Sequence, residues 1–234
     1  MDKAVIIVAG GKGLRMGGNL PKQFIPLQGR PVLMHTLEVF HKWDSSTDLL
    51  LVIPEEHESY WKMLCKELNF AVPHRVVYGG ATRFHSVRNG LRAIEENNSR
   101  KCDGRDGEDQ LIAVHDGVRP FVSCDVISSC FEIAEAFGAA IPVVPMIESV
   151  REVNEGESHQ FDRNRLCIVQ TPQVFHSGIL RKAYEHPYNE RFTDDASLVE
   201  ASGHTIRLVD GNRENIKITT PMDFRYAEIF LLNS

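Results

Sequence analysis

Continuous apolar runs recur along this chain at regular intervals. Ala4–Ala9 (A-V-I-I-V-A) comes first, followed by Leu49–Ile53, Val76–Tyr78, Leu111–Val114 and Ala139–Val144. Runs with no polar alternation are strands buried on both faces. Between them the period changes to that of a helix. Val32, Leu33, Leu37 and Phe40 share one face behind Pro31, a tolerated first-turn position. Tyr60, Leu64 and Leu68 mark a second helix within Glu55–Leu68, and Val87, Leu91 and Ile94 mark a third over Thr82–Glu96, with Thr82 as its N-cap. A fourth runs from Asp125 to Phe137 and closes at Gly138. The order β-α-β-α-β-α-β-α-β predicts a Rossmann-like α/β fold: a mostly parallel, twisted sheet with helices on both faces. Ligands of such sheets bind beyond the carboxyl ends of the strands.

The rhythm breaks after Val144. Residues 146–170 are polar, with two short alternating stretches, Ser149–Val153 and Cys167–Val169. They predict a β-hairpin arm outside the main sheet, with too little core to stand alone and therefore resting on a second subunit. Beyond it lie Gln170-Thr171-Pro172-Gln173, a helix from Ser177, another from Thr193 to Ala201, a strand over Thr205–Val209, the stretch Asn215–Thr219 and a closing helix, Pro221–Leu232. Asn97–Gln110, dense in charge and turn formers, reads as a surface loop. No repeat or second domain is evident, so residues 1–234 read as a single domain with 146–170 as a dimerisation arm within it.

Composition narrows the function. With 234 residues, 42% apolar and 25% charged, the chain has the makings of an ordinary globular core. A net charge of −6 argues against general affinity for nucleic acid or a membrane surface, so any anion site must be built locally. The five cysteines are scattered, without a C-x-x-C or His/Cys cluster, so neither a disulfide framework nor a zinc site is expected and a cytoplasmic setting fits. Cys124 and Cys167 read as small buried hydrophobes. The first apolar run is too short for a secretory leader, and no run approaches a membrane span.

The candidate chemistry begins where the first strand ends. Ala9–Lys22 reads A-G-G-K-G-L-R-M-G-G-N-L-P-K, with five glycines and the cations Lys12, Arg15 and Lys22. No Asp or Glu occurs between Lys3 and Leu37, although the chain is net acidic. A glycine-rich, cation-only loop after a first strand suits a polyphosphate. It is not a P-loop, because no Gly-Lys-Ser/Thr is present. It is not a dinucleotide fingerprint either: Met16 stands where the third glycine belongs, and the first following carboxylate, Glu38, lies in a helix. An ordinary turn with chance charges stands as the plain alternative; the arrangement suits nucleotidyl or phosphoryl transfer, in which Arg15 and Lys22 place charge over a reacting phosphate while Pro21 stiffens the approach of Lys22.

Here the sequence resembles a known group. G-G-K-G-L-R-M followed by P-K-Q-F looks like the signature loop of nucleoside-diphosphate-sugar pyrophosphorylases. Six further stretches follow in order: Gly79–Val87, His115–Pro120, Asp162-Arg163, Gln170–Gln173, Thr193–Ser197 and Asn215–Thr219. Together they resemble the cytidylyltransferases that attach CMP to a phosphorylated polyol, in particular the 2-C-methyl-D-erythritol 4-phosphate enzymes of non-mevalonate isoprenoid synthesis. The resemblance covers nearly the whole chain and implies a nucleotidyltransferase fold, CTP as co-substrate, Mg²⁺ on its phosphates and a homodimer. It implies that Gly10, Gly11 and Gly13 cradle the triphosphate, that Arg15 and Lys22 stabilise the α-phosphate, and that Gly79, Gly80, Arg83 and Ser86 hold cytosine. Asp116 would sit beside the ribose, the metal or a polyol hydroxyl. Arg119, Arg163, Thr171, Thr193 and Lys217 would hold the polyol phosphate, with Arg163 and Lys217 aiming its oxygen and Arg163 open to serving the neighbouring subunit.

Plainer readings stand beside these. Asp116 could cap its loop, Arg119 could form a structural salt bridge, Arg163 and Lys217 could point to solvent, and Thr193 could cap the following helix. His115 reads as a packed histidine, and Asp194 and Asp195 as first-turn helix charges. Two departures matter: Ala9-Gly10-Gly11 stands where Ala-Ala-Gly is frequent, and Asn215–Pro221 is also similar to the ribitol-5-phosphate cytidylyltransferases. Asp162-Arg163-Asn164 favours the isoprenoid enzyme. A catalytically silent CTP-binding module, or a dehydrogenase, are the readings from other classes.

Overall fold

Strand β1 (Asp2–Val8) pairs in parallel with β4 (Asp48–Ile53) on one side and β6 (Gln110–Asp116) on the other. The register sets Val8 opposite both Val52 and Asp116, and Ile53 opposite Tyr78 of β5 (Arg75–Tyr78). Four carboxyl ends therefore finish at one level, and the loops leaving them share one edge. A computed structural model describes residues 1–10, 21–100 and 110–232; Gly11, Gly13 and Arg15 lie outside them.

β1 alternates strictly between two cores, as the pleat requires. Val5 and Ile7 face one cluster, with Leu37 and Phe40 of α1 (Val32–Trp43), Trp61 of α2 (Glu58–Glu67) and Ile127 and Phe131 of α4 (Cys124–Phe137). Ala4 and Ile6 face the other, with Val87, Leu91 and Ile94 of α3 (Arg83–Arg100), Leu180 of α5 (Ser177–Ala183) and Leu198 of α6 (Asp195–Ala201). Both sheet faces are covered, as the apolar runs require. A third small cluster joins Leu27 of β2 (Pro26–Leu27), Val32, which follows β3 (Arg30–Pro31), Ile218 and Ala227 of α7 (Pro221–Leu232).

The second half departs from the expected pattern. β7 (Ala139–Pro145) does not lie beside β6; β11 (Gln173–His176) runs antiparallel between them, with Gln173 opposite Val114 and Val174 opposite both Ala113 and Ala140. Four residues behind a proline carry no legible period. Pairing on both sides, a tertiary effect, makes them a strand. β10 (Cys167–Val169) lies on the same edge of β7. Val169 faces Val143 and Val174 faces Ala140, so five steps on one strand match three on the other and Gln170–Pro172 bulge out. β12 (Arg207–Asp210) pairs in parallel with β7 on its opposite edge.

The hairpin arm exists with other partners than expected. β8 (Val150–Asn154) pairs with β9 (Glu157–Phe161) through Glu155 and Gly156, both with positive φ. Cys167–Val169 belongs to the main sheet, not to the arm. Cys167 is exposed, and Cys124 half-buried, rather than buried hydrophobes. α3 continues to Arg100, past the expected start of the loop at Asn97. No helix among the described residues is long and apolar enough to cross a membrane.

Candidate active site

A cleft of about 290 Å³ opens at the carboxyl edge of β1, β5 and β6, lined among others by Gly10, Lys22, Gly80, Arg83, Asp116 and Lys217. The sheet register explains the assembly. Gly10 leaves β1, Gly79 and Gly80 leave β5, and Asp116 is the last residue of β6.

The glycine wall follows from sterics. Gly79 N–H donates to Ile53 O at 2.8 Å, and Gly80 N–H donates to Ser86 Oγ at 3.1 Å. Ser86 Oγ in turn donates to Thr82 O at 3.0 Å. A Cβ on Gly80 would meet His85 Cβ at 2.4 Å, so only glycine lets the loop fold this closely onto the start of α3. Thr82 caps that helix, its Oγ1 accepting from His85 N at 3.4 Å. On the opposite wall, Lys22 opens a single 3₁₀ turn, Lys22–Phe24, behind Pro21. The buried Gln23 ties that turn to the strand end, donating to Ala9 O at 2.7 Å.

Asp116 forms the floor and is 7% exposed. Its Oδ2 accepts from Arg119 Nε at 3.1 Å and faces Lys217 Nζ at 3.0 Å, while Oδ1 faces Arg83 Nε at 3.8 Å. Burial by itself would raise its pKa; the attraction of Lys217, Arg83 and Arg119 overrides it and holds the carboxyl well below the usual carboxylate range. Arg83 also donates to Asp195 Oδ2 at 2.6 Å. Arg83, Arg119 and Lys217 thus meet Asp116, Arg83 also meets Asp195, and Lys22 lines the same cleft. Four positive charges less two negative leave an excess of two in a chain of net charge −6. That is a local anion site.

The remaining expected residues divide. Lys217 enters the cleft, half-exposed, and Lys22 lines it. Arg119 takes the structural role: besides Asp116 it donates to Asn215 O at 2.8 Å, its side chain is 12% exposed, and it does not line the cleft. Thr171 is buried, and its hydroxyl is fully used, accepting from Asp116 N at 3.1 Å and donating to His115 Nδ1 at 3.0 Å. That tautomer follows because His115 Nε2 faces the Arg119 carbonyl at 3.0 Å and must donate to it. Thr193 lies beyond Arg83 in a separate hollow with Phe84, Tyr184 and Tyr188. It does not cap α6 either; Asp194 does, accepting from Ser197 N at 2.9 Å in a capping box. Arg163 stays with the arm, donating to Ile147 O and lining a hollow formed by the arm itself; no arm residue lines the cleft of its own chain.

Several residues that shape the site lie in the quoted stretches, but the sequence assigns them no role of their own. Asn215 is fully buried and donates to Thr171 O at 2.8 Å, and Gln170 donates to Asn212 O at 2.9 Å, so the loop that carries Lys217 is tied to the bulge of β10 and β11. Gln173 accepts from Ala196 N at 2.9 Å and donates to Asp194 Oδ2 at 2.8 Å, fixing the start of α6. Asp195 is fully buried against Arg83. The Gln-Thr-Pro-Gln stretch is the only hint of this: three polar side chains flanking one proline, all three buried. Among the described residues no group of three or more His, Cys, Asp or Glu could hold a metal. Among the described residues Asp116 is the only carboxylate lining the cleft, and it is already ringed by cations. That donor set fits a hard cation brought in on a substrate's phosphates and does not form a protein cage.

Comparison with known proteins gives a consistent family. Residues 3–233 match the family model of 2-C-methyl-D-erythritol 4-phosphate cytidylyltransferase. A protein of that name from Phocaeicola vulgatus is 51% identical over 231 residues, covering 99% of this chain and 100% of its own. One from Bacteroides thetaiotaomicron is 50% identical over the same coverage. Among solved structures, a 2-C-methyl-D-erythritol 4-phosphate cytidylyltransferase from Thermus thermophilus superposes with a TM-score of 0.75 at 32% identity, over 98% of each chain. A 4-diphosphocytidyl-2C-methyl-D-erythritol synthase from Anaerococcus prevotii gives 0.79 at 28% identity, over 99% of this chain and 96% of that one.

Proposed function

This chain belongs to the 2-C-methyl-D-erythritol 4-phosphate cytidylyltransferase family, and we propose that it transfers CMP from CTP to 2-C-methyl-D-erythritol 4-phosphate, giving 4-diphosphocytidyl-2-C-methyl-D-erythritol and pyrophosphate. The observation that carries the reading is the cationic cleft at the carboxyl edge, closed by a tight glycine wall and floored by Asp116.

The reaction is a displacement at the α-phosphorus of CTP. An oxygen of the polyol phosphate forms the new P–O bond, the bond to the β-phosphate bridge breaks, and pyrophosphate leaves with the electron pair. The attacking oxygen is already ionised, so no general base is required. The protein's work is to position and to stabilise charge. Gly79, Gly80, Arg83 and Ser86 hold cytosine, for which a close backbone wall favours the smaller pyrimidine ring. Gly10 and Lys22, with Gly11, Gly13 and Arg15, hold the triphosphate. Lys217 receives the polyol phosphate, steadied by Asp116, which is also placed to accept from a ribose or polyol hydroxyl. Arg119 and Thr171 act through Asp116. Of the described cleft residues, Asp116 would be the carboxylate placed to add a ligand to a Mg²⁺ held on the CTP phosphates, where the ion would neutralise phosphate charge.

The assembly is a homodimer in which Arg163 of the arm serves the neighbouring site. Support comes from the place of Arg163 in a hollow of the arm and not in the lining of its own chain's cleft, and from the exposure of Val153 and Ile147 on the arm. The setting is the cytoplasm, where CTP is available.

The test is pyrophosphate release with CTP and Mg²⁺, using either 2-C-methyl-D-erythritol 4-phosphate or ribitol 5-phosphate as acceptor. Release with the former and not the latter is expected. Release with ribitol phosphate alone would move the chain to the other acceptor, and release with neither would sink the assignment.

A further inference from the structure

Arg83 is held from behind by two residues that neither the cleft nor its chemistry calls for. Its Nη2 donates to Asp195 Oδ2 at 2.6 Å, and Asp195 Oδ1 accepts from Tyr184 Oη at 2.5 Å. Asp195 is 0% exposed and Tyr184 6%. Both sit outside the cleft, which Arg83 alone of the three lines. The carboxylate therefore has no solvent to satisfy it, and its two oxygens are divided between one guanidinium and one phenol.

The chain invests further residues in keeping Asp195 there. Gln173 clamps the first turn of α6 from β11, accepting from Ala196 N and donating to Asp194. The Asp194–Ser197 capping box fixes the same turn. Tyr184 stacks on Phe84, the residue after Arg83, with ring centroids 4.8 Å apart. Burial and the Asp195 carboxylate raise the Tyr184 pKa, so its hydroxyl stays a donor. Seen from Arg83, a charge in the cytidine wall could swing toward Asp116, whose Oδ1 is 3.8 Å from Nε. Asp195 pulls from the far side and keeps the guanidinium between the two carboxylates. Without it Arg83 would collapse onto Asp116 and compete with Lys217 for that carboxylate.

We propose that Asp195 and Tyr184 are positioning residues for CTP, fixing the Arg83 guanidinium in the wall of the base pocket without touching the nucleotide. The inference rests on the reading of the cleft as the CTP site. A purely structural tie between α3 and α6 would cost stability alone. A positioning role costs CTP affinity, and only while Arg83 is present.

Tyr184→Phe removes one hydroxyl and keeps the stacked ring, so it is the variant that keeps the fold; Asp195→Asn is its stronger companion. CTP binding by calorimetry on the whole protein, and KM for each substrate by pyrophosphate release, are the readouts. Tyr184→Phe is expected to weaken CTP binding about five- to tenfold, less than the loss of a direct hydrogen bond to a charged group would cost, because the hydroxyl acts through Asp195 and Arg83. KM for the polyol phosphate should change less than about twofold. In an Arg83→Ala background the same substitution should have no further effect on CTP binding, because the group it positions is gone. If Tyr184→Phe binds CTP as the wild type does, or if its effect is undiminished without Arg83, the proposal is overturned. Failure of the wild-type protein to bind CTP at all would instead overturn the reading of the cleft.

Discussion

Lys217 Nζ lies 3.0 Å from Asp116 Oδ2, the same oxygen that accepts from Arg119 Nε at 3.1 Å. The two residues are brought together from β6 and from a loop about a hundred positions later in the chain, and each makes the other usable. Asp116 orders a lysine that is otherwise half in solvent, and Lys217 helps keep a buried carboxylate ionised.

Asp116→Asn should therefore lower kcat/KM by about 10²-fold, since it removes the anchor of a preorganised cation and leaves three cations facing an amide. Pyrophosphate release measures it. Because the folded-state pKa is depressed, the stability this carboxylate contributes is complete above its unfolded value of about 4 and is lost only as pH falls through the lower folded value. Asp116 should accordingly leave no inflection in the rate profile between about pH 5 and 8.

His115 sets a different window. Burial lowers its pKa from 6.5 to about 4. The unfolded chain then takes up the proton first, so stability is complete above about pH 6.5 and declines as pH falls toward 4, by up to about 3 kcal/mol. Urea unfolding between pH 7.5 and 4.5 should show this decline, and His115→Gln, which keeps a donor and an acceptor, should flatten it. Equal slopes in the two proteins would mean that the histidine is not held neutral.

Gly80→Ala places a Cβ 2.4 Å from His85 Cβ, a contact that only a shift of the first turn of α3 can relieve. A loss of about 1–3 kcal/mol in stability is expected. KM for CTP should rise with it, because that turn carries Arg83 and Ser86. Thermal denaturation and steady-state kinetics on one preparation test both.

Lys22→Ala should cut kcat about 10²-fold with the fold intact, as loss of one preorganised charge does. Arg163→Ala should mainly raise KM for the polyol phosphate. At polyol phosphate concentrations too low to saturate the Arg163→Ala variant, mixing the two impaired variants should raise activity above that of either alone, because one of the two sites in a mixed dimer then holds both native side chains. No recovery after verified exchange of subunits would place Arg163 in its own chain's site or in none.

The parallel half of this protein is legible in the residues alone. Runs such as Ala4–Ala9 and Leu111–Val114 are apolar because strands covered on both faces can be nothing else, and the helical stripes between them leave one arrangement of layers. Of the glycines and cations the sequence singled out, Gly10, Gly80, Lys22, Arg83 and Lys217 do line the cleft, because residue type and position at a strand end are local features. The antiparallel half lay beyond it. Gln173–His176 is a strand only because β6 and β7 pair with it, and Cys167–Val169 left the arm for the sheet for the same reason. Side-chain roles divided along the same line. Thr171 carries a hydroxyl suited to a phosphate, yet tertiary structure turned it to His115 and Asp116. Asp195 reads as one more first-turn charge, and only burial beside Arg83, across a span of 112 positions, gives it work. Residue type and period are local properties of a chain, whereas which polar atoms end up sharing a dry interior is decided when distant segments meet.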